Sequence, residues 1–466
     1  MVRGRAISRF TVRSTRIRAG RCGKLAASLG LCCAALLAAC GSSSGISSSA
    51  ATASCQADHW VGAWTAPPQA TTLLSASGLA VQEFEADLLA NQKIFPNLAQ
   101  AQVFNDQSLR LIVAPHLGGS SLRLHLGNRF QKGSVTLDGV YVGLTQSGAS
   151  LVPGSNHAVT FGGQSQVSIA PGAEVLSDPV SITTQPFQNL SISFHIQGLL
   201  VPVDYHLTAQ QVSYLAPLPG SYGANEDASL FINTISSWYV LNAIDVQAPG
   251  STGAVVAFGD SLTDGYLSSY NQNGRWPDYL ARRLRADSAQ PRLSVMDAGI
   301  SGNFVASDAY IYGPSGVSRF ADDALSKAGV TDVILFEGIN DIGGAPKDAA
   351  TADAIMAADR EIILQAHAAG LKIIGATLTP AAGAKESQAG GSGEPQALRQ
   401  TVNDWIRTGG AFDAVIDFDA AVRDPANPDH IAPQYDGGDH LHFNDAGYQA
   451  LADAVDLNAF QGTGCQ

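Results

Sequence analysis

The sequence predicts an α/β fold in which a doubly wound, five-stranded parallel sheet follows an antiparallel β-sandwich or jelly roll. Three observations carry this. Five apolar runs (A-V-V-A-F at 254–258, L-S-V-M-D at 293–297, D-V-I-L-F at 332–336, K-I-I-G-A-T at 372–377, A-V-I-D-F at 414–418) alternate with helix-like segments at 276–284, 351–369 and 395–407. Such alternation is the signature of βαβ units and a parallel sheet. Before residue 246 the apolar residues instead recur with period two, the mark of half-buried strands. The pattern changes across Q-A-P-G-S-T-G at 247–253, which reads as a linker. With 466 residues, 45% hydrophobic and 14% charged, the chain can bury a large core, enough for two or three domains at roughly 150 residues each.

In chain order, residues 1–39 read as an export signal. Eight basic residues (Arg3, Arg5, Arg9, Arg13, Arg16, Arg18, Arg21, Lys24) and no acidic one precede a mostly apolar stretch at 25–39. A basic n-region and a short h-region have this form. L-A-A-C at 37–40, followed by G-S-S-S, resembles the lipobox of bacterial lipoproteins. That resemblance implies acylation of Cys40 and anchoring to the cell envelope; an ordinary cleavage instead gives a periplasmic or secreted protein. The n-region holds no Arg-Arg pair, so twin-arginine export is not indicated. Residues 40–54 form a Ser-rich tether, flexible by composition. Loss of the signal takes Lys plus Arg from 27 to 19 against 40 acidic residues, and the net charge from −13 to −21. So negative a surface argues against nucleic acid or anionic lipid as a partner and limits membrane contact to the anchor. Of six cysteines, Cys22, Cys32 and Cys33 lie in the signal. Beyond Cys40 only Cys55 and Cys465 remain, and in an exported protein these are expected to close a disulfide joining the two ends; the alternative is a pair of free thiols.

The β-rich domain is placed at 55–250. Its strand-like runs are L-R-L-I-V-A at 109–114, S-L-R-L-H-L at 121–126, S-V-T-L-D-G-V-Y-V at 134–142, Q-V-S-I at 166–169 and L-S-I-S-F-H-I at 190–196, separated by turn clusters such as G-G-S-S and P-G-S-N. Helical periodicity of comparable length occurs only around 78–91. The α/β domain is placed at 251–466.

Chemistry-bearing residues cluster just beyond the predicted parallel strands, where such folds place their ligands. G-D-S-L-T-D-G at 259–265 follows the first, A-G-I-S-G-N at 298–303 the second and E-G-I-N-D at 337–341 the third; D-G-G-D-H-L-H-F-N-D-A-G lies at 436–447. Ser261 sits at a strand-to-helix corner, where a serine acts as a nucleophile or as a helix N-cap. The G-x-S-x-G elbow is absent, because Thr263 replaces the second glycine. A serine hydroxyl needs a base. His442 stands three residues after Asp439, a spacing that lets the carboxylate fix the imidazole; Asp436 with His440 is the competing pair. Asp260 and Asp264 are read as structural, holding or capping the turn, with Thr263 or Asp264 the remaining cap candidates. No His/Cys/Asp cluster has metal-ligand spacing, and no cofactor is indicated.

Together the four blocks resemble the SGNH (GDSL) hydrolase family over roughly residues 253–460. G-D-S-L-T-D-G and R-W-P-D at 275–278 look like a bacterial branch that carries a β-rich domain before the hydrolase. The resemblance implies a flavodoxin-like three-layer domain and a serine esterase or acylhydrolase acting on a small-molecule or glycan ester. It assigns Ser261 as nucleophile, His442 and Asp439 as its base and orienter, and the Ser261 N–H, the Gly302 N–H and the Asn340 amide as the oxyanion hole. Gly299 is the other glycine of its block, and a tight turn is the plainer role for either; Asn340 is otherwise a helix cap. Phe443 stands where the family commonly has proline. The alternatives are a carbohydrate (acetyl) esterase or lysophospholipase on the same site, with Trp60, Trp64 and Tyr141 as a sugar platform, and a non-catalytic surface-binding lipoprotein.

Overall fold

The computed structural model describes residue 55 and residues 57–70, 98–99, 104–200, 204–290, 292–309, 312–344, 348–384 and 393–465. The signal, Cys40, the tether and the helical periodicity around 78–91 lie outside the described residues.

Five strands form one sheet: β1 (Thr252–Gly259), β2 (Arg292–Gly299), β3 (Val330–Phe336), β4 (Lys372–Ala376) and β5 (Ala414–Ile416). Their order is 2-1-3-4-5 and every pair is parallel. The apolar runs continue without alternation because both faces are covered; every residue of β1 is buried. The helices are α1 (Ser261–Asp264), α2 (Trp276–Ala286), α3 (Gly316–Phe320), α4 (Ile339–Gly344), α5 (Ala349–Ala368), α6 (Glu394–Thr408), α7 (Phe418–Val422) and α8 (Asp445–Asp453). α2 buries Trp276, Leu280, Ala281 and Leu284, a stripe at helical spacing. Its start is fixed by Pro277 and by the Arg275 N–H donating to Asp278 Oδ2 at 2.9 Å. α6 buries Leu398, Val402 and Ile406 in the same way. Trp276, Phe258, Phe336, Ile362 and Phe418 meet in the resulting core. Each fully buried side chain of this size contributes roughly 1.5–3 kcal/mol of transfer free energy.

The described residues before 248 form mainly β structure, as the period-two runs predict. Among the described residues all strand pairs here are antiparallel except Leu98–Ala99 with Asn233–Ile235. The long strands Phe104–Val113, Val135–Ser147 and Leu190–Leu200 lie side by side, with Leu190–Leu200 in the middle. Their inward residues (Leu109, Leu111, Leu137, Ile192, Phe194) make a second core.

The predicted seven-residue linker is shorter in the structure. One strand runs to Ala248 and β1 begins at Thr252, so Pro249, Gly250 and Ser251 alone make the turn. The described residues form one compact unit. The strand His59–Thr65 packs beside β2, the Gly62 N–H donates to Ala328 O at 2.8 Å, and the His59 Nε2–H donates to Thr252 O at 2.8 Å. Cys55 and Cys465 are disulfide-bonded, 410 residues apart in the chain.

Candidate active site

The order 2-1-3-4-5 sends the chain to opposite sides after β1 and after β3, which opens a crevice at the carboxyl ends of these strands. Ser261 follows β1, Gly302 follows β2 and Asn340 follows β3. The fold thus brings together three residues spread over 80 positions.

Ser261 is the first residue of α1 and is 5% exposed. The cap of this helix is Asp260, whose carboxylate accepts the Leu262 N–H at 3.0 Å. Asp260, read from the sequence as holding or capping this turn, is thus the cap, and Thr263 and Asp264 are not, which leaves the Ser261 hydroxyl free for another partner. That partner is His442, whose Nε2 lies 2.8 Å from Ser261 Oγ. On its other side the His442 Nδ1–H donates to Asp439 Oδ2 at 2.6 Å. Asp439 Oδ1 accepts the N–H groups of Leu441 and His442 at 2.9 and 2.8 Å. Burial works against the Asp439 charge, but the His442 ring and these N–H groups outweigh it and hold the carboxyl at about 2. The competing histidine, His440, pairs with Asp436 as its spacing suggested. Its side chain is 43% exposed and makes no hydrogen bond to Ser261.

Phe443, which replaces the expected proline, is fully buried and packs edge-on against Tyr448 at 5.6 Å. The Tyr448 hydroxyl donates to Tyr266 O at 2.6 Å, and the Tyr266 ring meets the His442 ring edge-on at 4.7 Å. Tyr448, with Phe443 packed against it, thus ties the histidine loop to the nucleophile loop.

Neither the Ser261 N–H nor the Gly302 N–H meets an acceptor among the described residues. Gly302 has φ +79°, and a Cβ there would lie 2.2 Å from Tyr312 Cδ1, so both conformation and space call for glycine. Asn340 donates one amide N–H to Asn303 O at 2.9 Å, which leaves the second N–H unengaged. Asp341 next to it accepts the Val305 and Ala306 N–H groups at 2.9 and 3.0 Å. α4 therefore pins the loop after β2.

Sequence reasoning missed the scaffold under these groups. Asn303 is fully buried and donates to Tyr312 O and Pro314 O at 2.6 and 2.8 Å. Its Oδ1 accepts the Arg319 Nε–H at 2.7 Å. Arg319, also fully buried, donates to Ala298 O and Gly259 O at 2.8 Å each, joining the ends of β2 and β1. The one available signal was an arginine in a short segment otherwise suited to packing. Around it burial raises several carboxyls: Asp260 well above its usual range, Glu337 to about 7 and Asp341 to about 6. Trp64 is 8% exposed and packs edge-on against Trp238 at 4.9 Å, a core position rather than a sugar platform.

A hydroxyl, an imidazole and a carboxylate hydrogen-bonded in series, beside unengaged N–H donors, form the arrangement a nucleophilic ester hydrolase needs. Residues 257–450, which carry all of these groups, match the family model of the GDSL-like lipase/acylhydrolases. This segment belongs to that family, the SGNH (GDSL) hydrolases anticipated from the four blocks, and the protein is a GDSL-type ester hydrolase. Solved structures similar to it include an aryl esterase of M. smegmatis (19% identity, 43% of this chain and 95% of that one, TM-score 0.34). Another is a GDSL-like lipase of Bacteroides thetaiotaomicron (20% identity, 44% and 87%, TM-score 0.33). A third is an acetyl xylan esterase (21% identity, 43% and 96%, TM-score 0.32). No curated protein matches the chain.

Proposed function

We propose that the protein is an exported serine esterase that cleaves carboxylic esters in two steps through an acyl-enzyme on Ser261. His442 Nε2 takes the Ser261 proton as Oγ attacks the ester carbonyl. The resulting oxyanion is held by the Ser261 and Gly302 N–H groups and the free amide N–H of Asn340, and Asp439 stabilises the imidazolium that forms. His442 then protonates the departing alcohol. Water, deprotonated by the same imidazole, releases the acid and restores the serine. The observation that carries this reading is the hydrogen-bonded series Ser261 Oγ, His442 Nε2, His442 Nδ1, Asp439 Oδ2.

The substrate is a small-molecule or glycan ester. Export rests on the basic and apolar segments of residues 1–39, and anchoring on the lipobox-like L-A-A-C ending at Cys40. Labelling with a fluorophosphonate probe, followed by peptide mapping, tests the nucleophile. A covalent adduct on Ser261 is expected, together with a fall of several orders of magnitude in kcat on p-nitrophenyl acetate in Ser261→Ala. Absence of the adduct, or near-wild-type turnover in the variant, would overturn the assignment. Intact mass of the mature protein tests the anchor: an acylated N-terminal Cys40 is expected, and an unmodified N-terminus beyond it excludes lipidation.

A further inference from the structure

We propose that His206 and Thr208, which belong to the β-rich part of the chain, are positioning residues of the ester hydrolase site. They act by locking the Asp264 carboxylate between the nucleophile helix and the oxyanion loop. The inference rests on the roles proposed above for Ser261 and Gly302.

Asp264 is the last residue of α1, three positions after Ser261. Its Oδ2 accepts both the Ser301 N–H at 3.1 Å and the Ser301 Oγ–H at 2.5 Å. Ser301 directly precedes Gly302, so one carboxylate grips the residue that sets the direction of the Gly302 N–H. The two segments are also pressed together: a Cβ on Gly299 would lie 2.2 Å from the Asp264 nitrogen. Asp264 thus helps set the distance between nucleophile and oxyanion donor, to which an acyl-transfer rate is sensitive.

Among the described residues of the α/β domain none hydrogen-bonds Asp264 Oδ1. His206 does, donating from Nε2 at 2.8 Å, while its Nδ1 donates to Pro67 O at 3.0 Å. Both ring nitrogens face oxygen acceptors, an arrangement that favours the protonated ring. Burial opposes charge on both partners, but their mutual attraction outweighs it; it raises His206 and lowers Asp264. The Thr208 hydroxyl donates to Asp264 Oδ2 and lies 2.7 Å from Ser301 Oγ. His206, Thr208, Asp264 and Ser301 are each less than 8% exposed. Arg275 closes the assembly, donating from Nε to Asp264 O at 2.8 Å and from Nη2 to Ala209 O. Two further carboxyl groups face Arg275: Asp297 Oδ2, 3.7 Å from Nε, and Asp278 Oδ2, 3.7 Å from Nη1. The β-rich part is thereby a component of the catalytic geometry rather than an appended module.

The test uses the full chain with Thr208→Val, Thr208→Ser, His206→Ala and His206→Gln. Steady-state hydrolysis of p-nitrophenyl acetate and the rate of fluorophosphonate labelling at Ser261 are read beside thermal unfolding. Thr208→Val, nearly isosteric, and His206→Ala are expected to lower kcat and the labelling rate about ten- to a hundredfold, with KM within about twofold. Thr208→Ser restores the hydroxyl, and His206→Gln restores a donor near the Nε2 position; both are expected to recover most of the loss. Should His206→Ala fail to fold, the Thr208 pair decides. Wild-type kcat in folded Thr208→Val overturns the inference, as does a loss that Thr208→Ser does not recover. If wild-type protein is not labelled at Ser261, the proposed nucleophile fails first and this inference falls with it.

Discussion

Replacing Asn340 with alanine separates a role in chemistry from a role in structure. The Asn340 amide makes one bond within the protein, to Asn303 O at 2.9 Å, and its second N–H is left for the oxyanion. Losing one such donor costs about 10²–10³ in kcat, or about 3 kcal/mol of transition-state stabilisation. Losing the bond to Asn303 costs about 1 kcal/mol of folding free energy. The loop is not released, because Asp341 still holds the Val305 and Ala306 N–H groups. The expected outcome is a kcat on p-nitrophenyl acetate lower by about 10²–10³, a KM within about threefold of wild type, and an unfolding free energy in urea lower by about 1 kcal/mol. A kcat within tenfold of wild type, or a loss confined to KM, would refute the oxyanion role.

Three further outcomes are expected. Asp439→Asn should lower kcat by about 10³–10⁴ with KM little changed, because Asp439 Oδ2 fixes the His442 ring at 2.6 Å; a loss below tenfold contradicts the assigned pair. The Glu337 side chain is fully buried, and Arg319 Nη2, 3.6 Å from its Oε1, does not offset that burial, which raises the carboxyl to about 7, so the folded state binds its proton more tightly than the unfolded chain does. Its contribution to stability is complete below the ordinary carboxyl range and is lost as pH rises to about 7. Glu337→Gln should therefore match wild type near pH 4 and exceed it by about 3 kcal/mol at pH 8 in urea unfolding, and an equal difference at both pH values refutes this. Replacing Cys55 and Cys465 by serine removes a bridge that spans 410 residues. Unfolding free energy should fall by about 2–5 kcal/mol with kcat unchanged, and an unchanged urea midpoint would count against the bridge.

Much of the site was legible because its signals are local. A buried parallel strand shows as an unbroken apolar run, and the residues just past its end are those the fold exposes to a ligand. That logic led to the blocks that hold Ser261, Gly302 and Asn340, and the resemblance to the SGNH family singled out these residues within them. Period-two alternation marked the β-rich part for a similar reason, since side chains alternate faces along a strand.

What the sequence could not decide were pairings between segments far apart in the chain. Asp436 with His440 and Asp439 with His442 have nearly the same spacing, and both pairs form. Contacts with the nucleophile loop, the Tyr448 hydroxyl to Tyr266 O and the Ser269 N–H to Asp445 Oδ1 among them, bring His442, 181 positions away, to Ser261. The cap of α1 fell to Asp260 because the Ser261 hydroxyl faces the histidine. Arg319 looks like any surface arginine until β1 and β2 present their terminal carbonyls to it. His206 and Thr208 carry no motif; their meaning lies in the approach of one half of the chain to the carboxylate of the other. The sequence by itself determined the strands, the cores and the residue types at the strand ends, because these follow from periodicity over a few positions. The tertiary structure decided which groups meet, because a hydrogen bond requires two side chains within about 3 Å, and no local pattern encodes that distance.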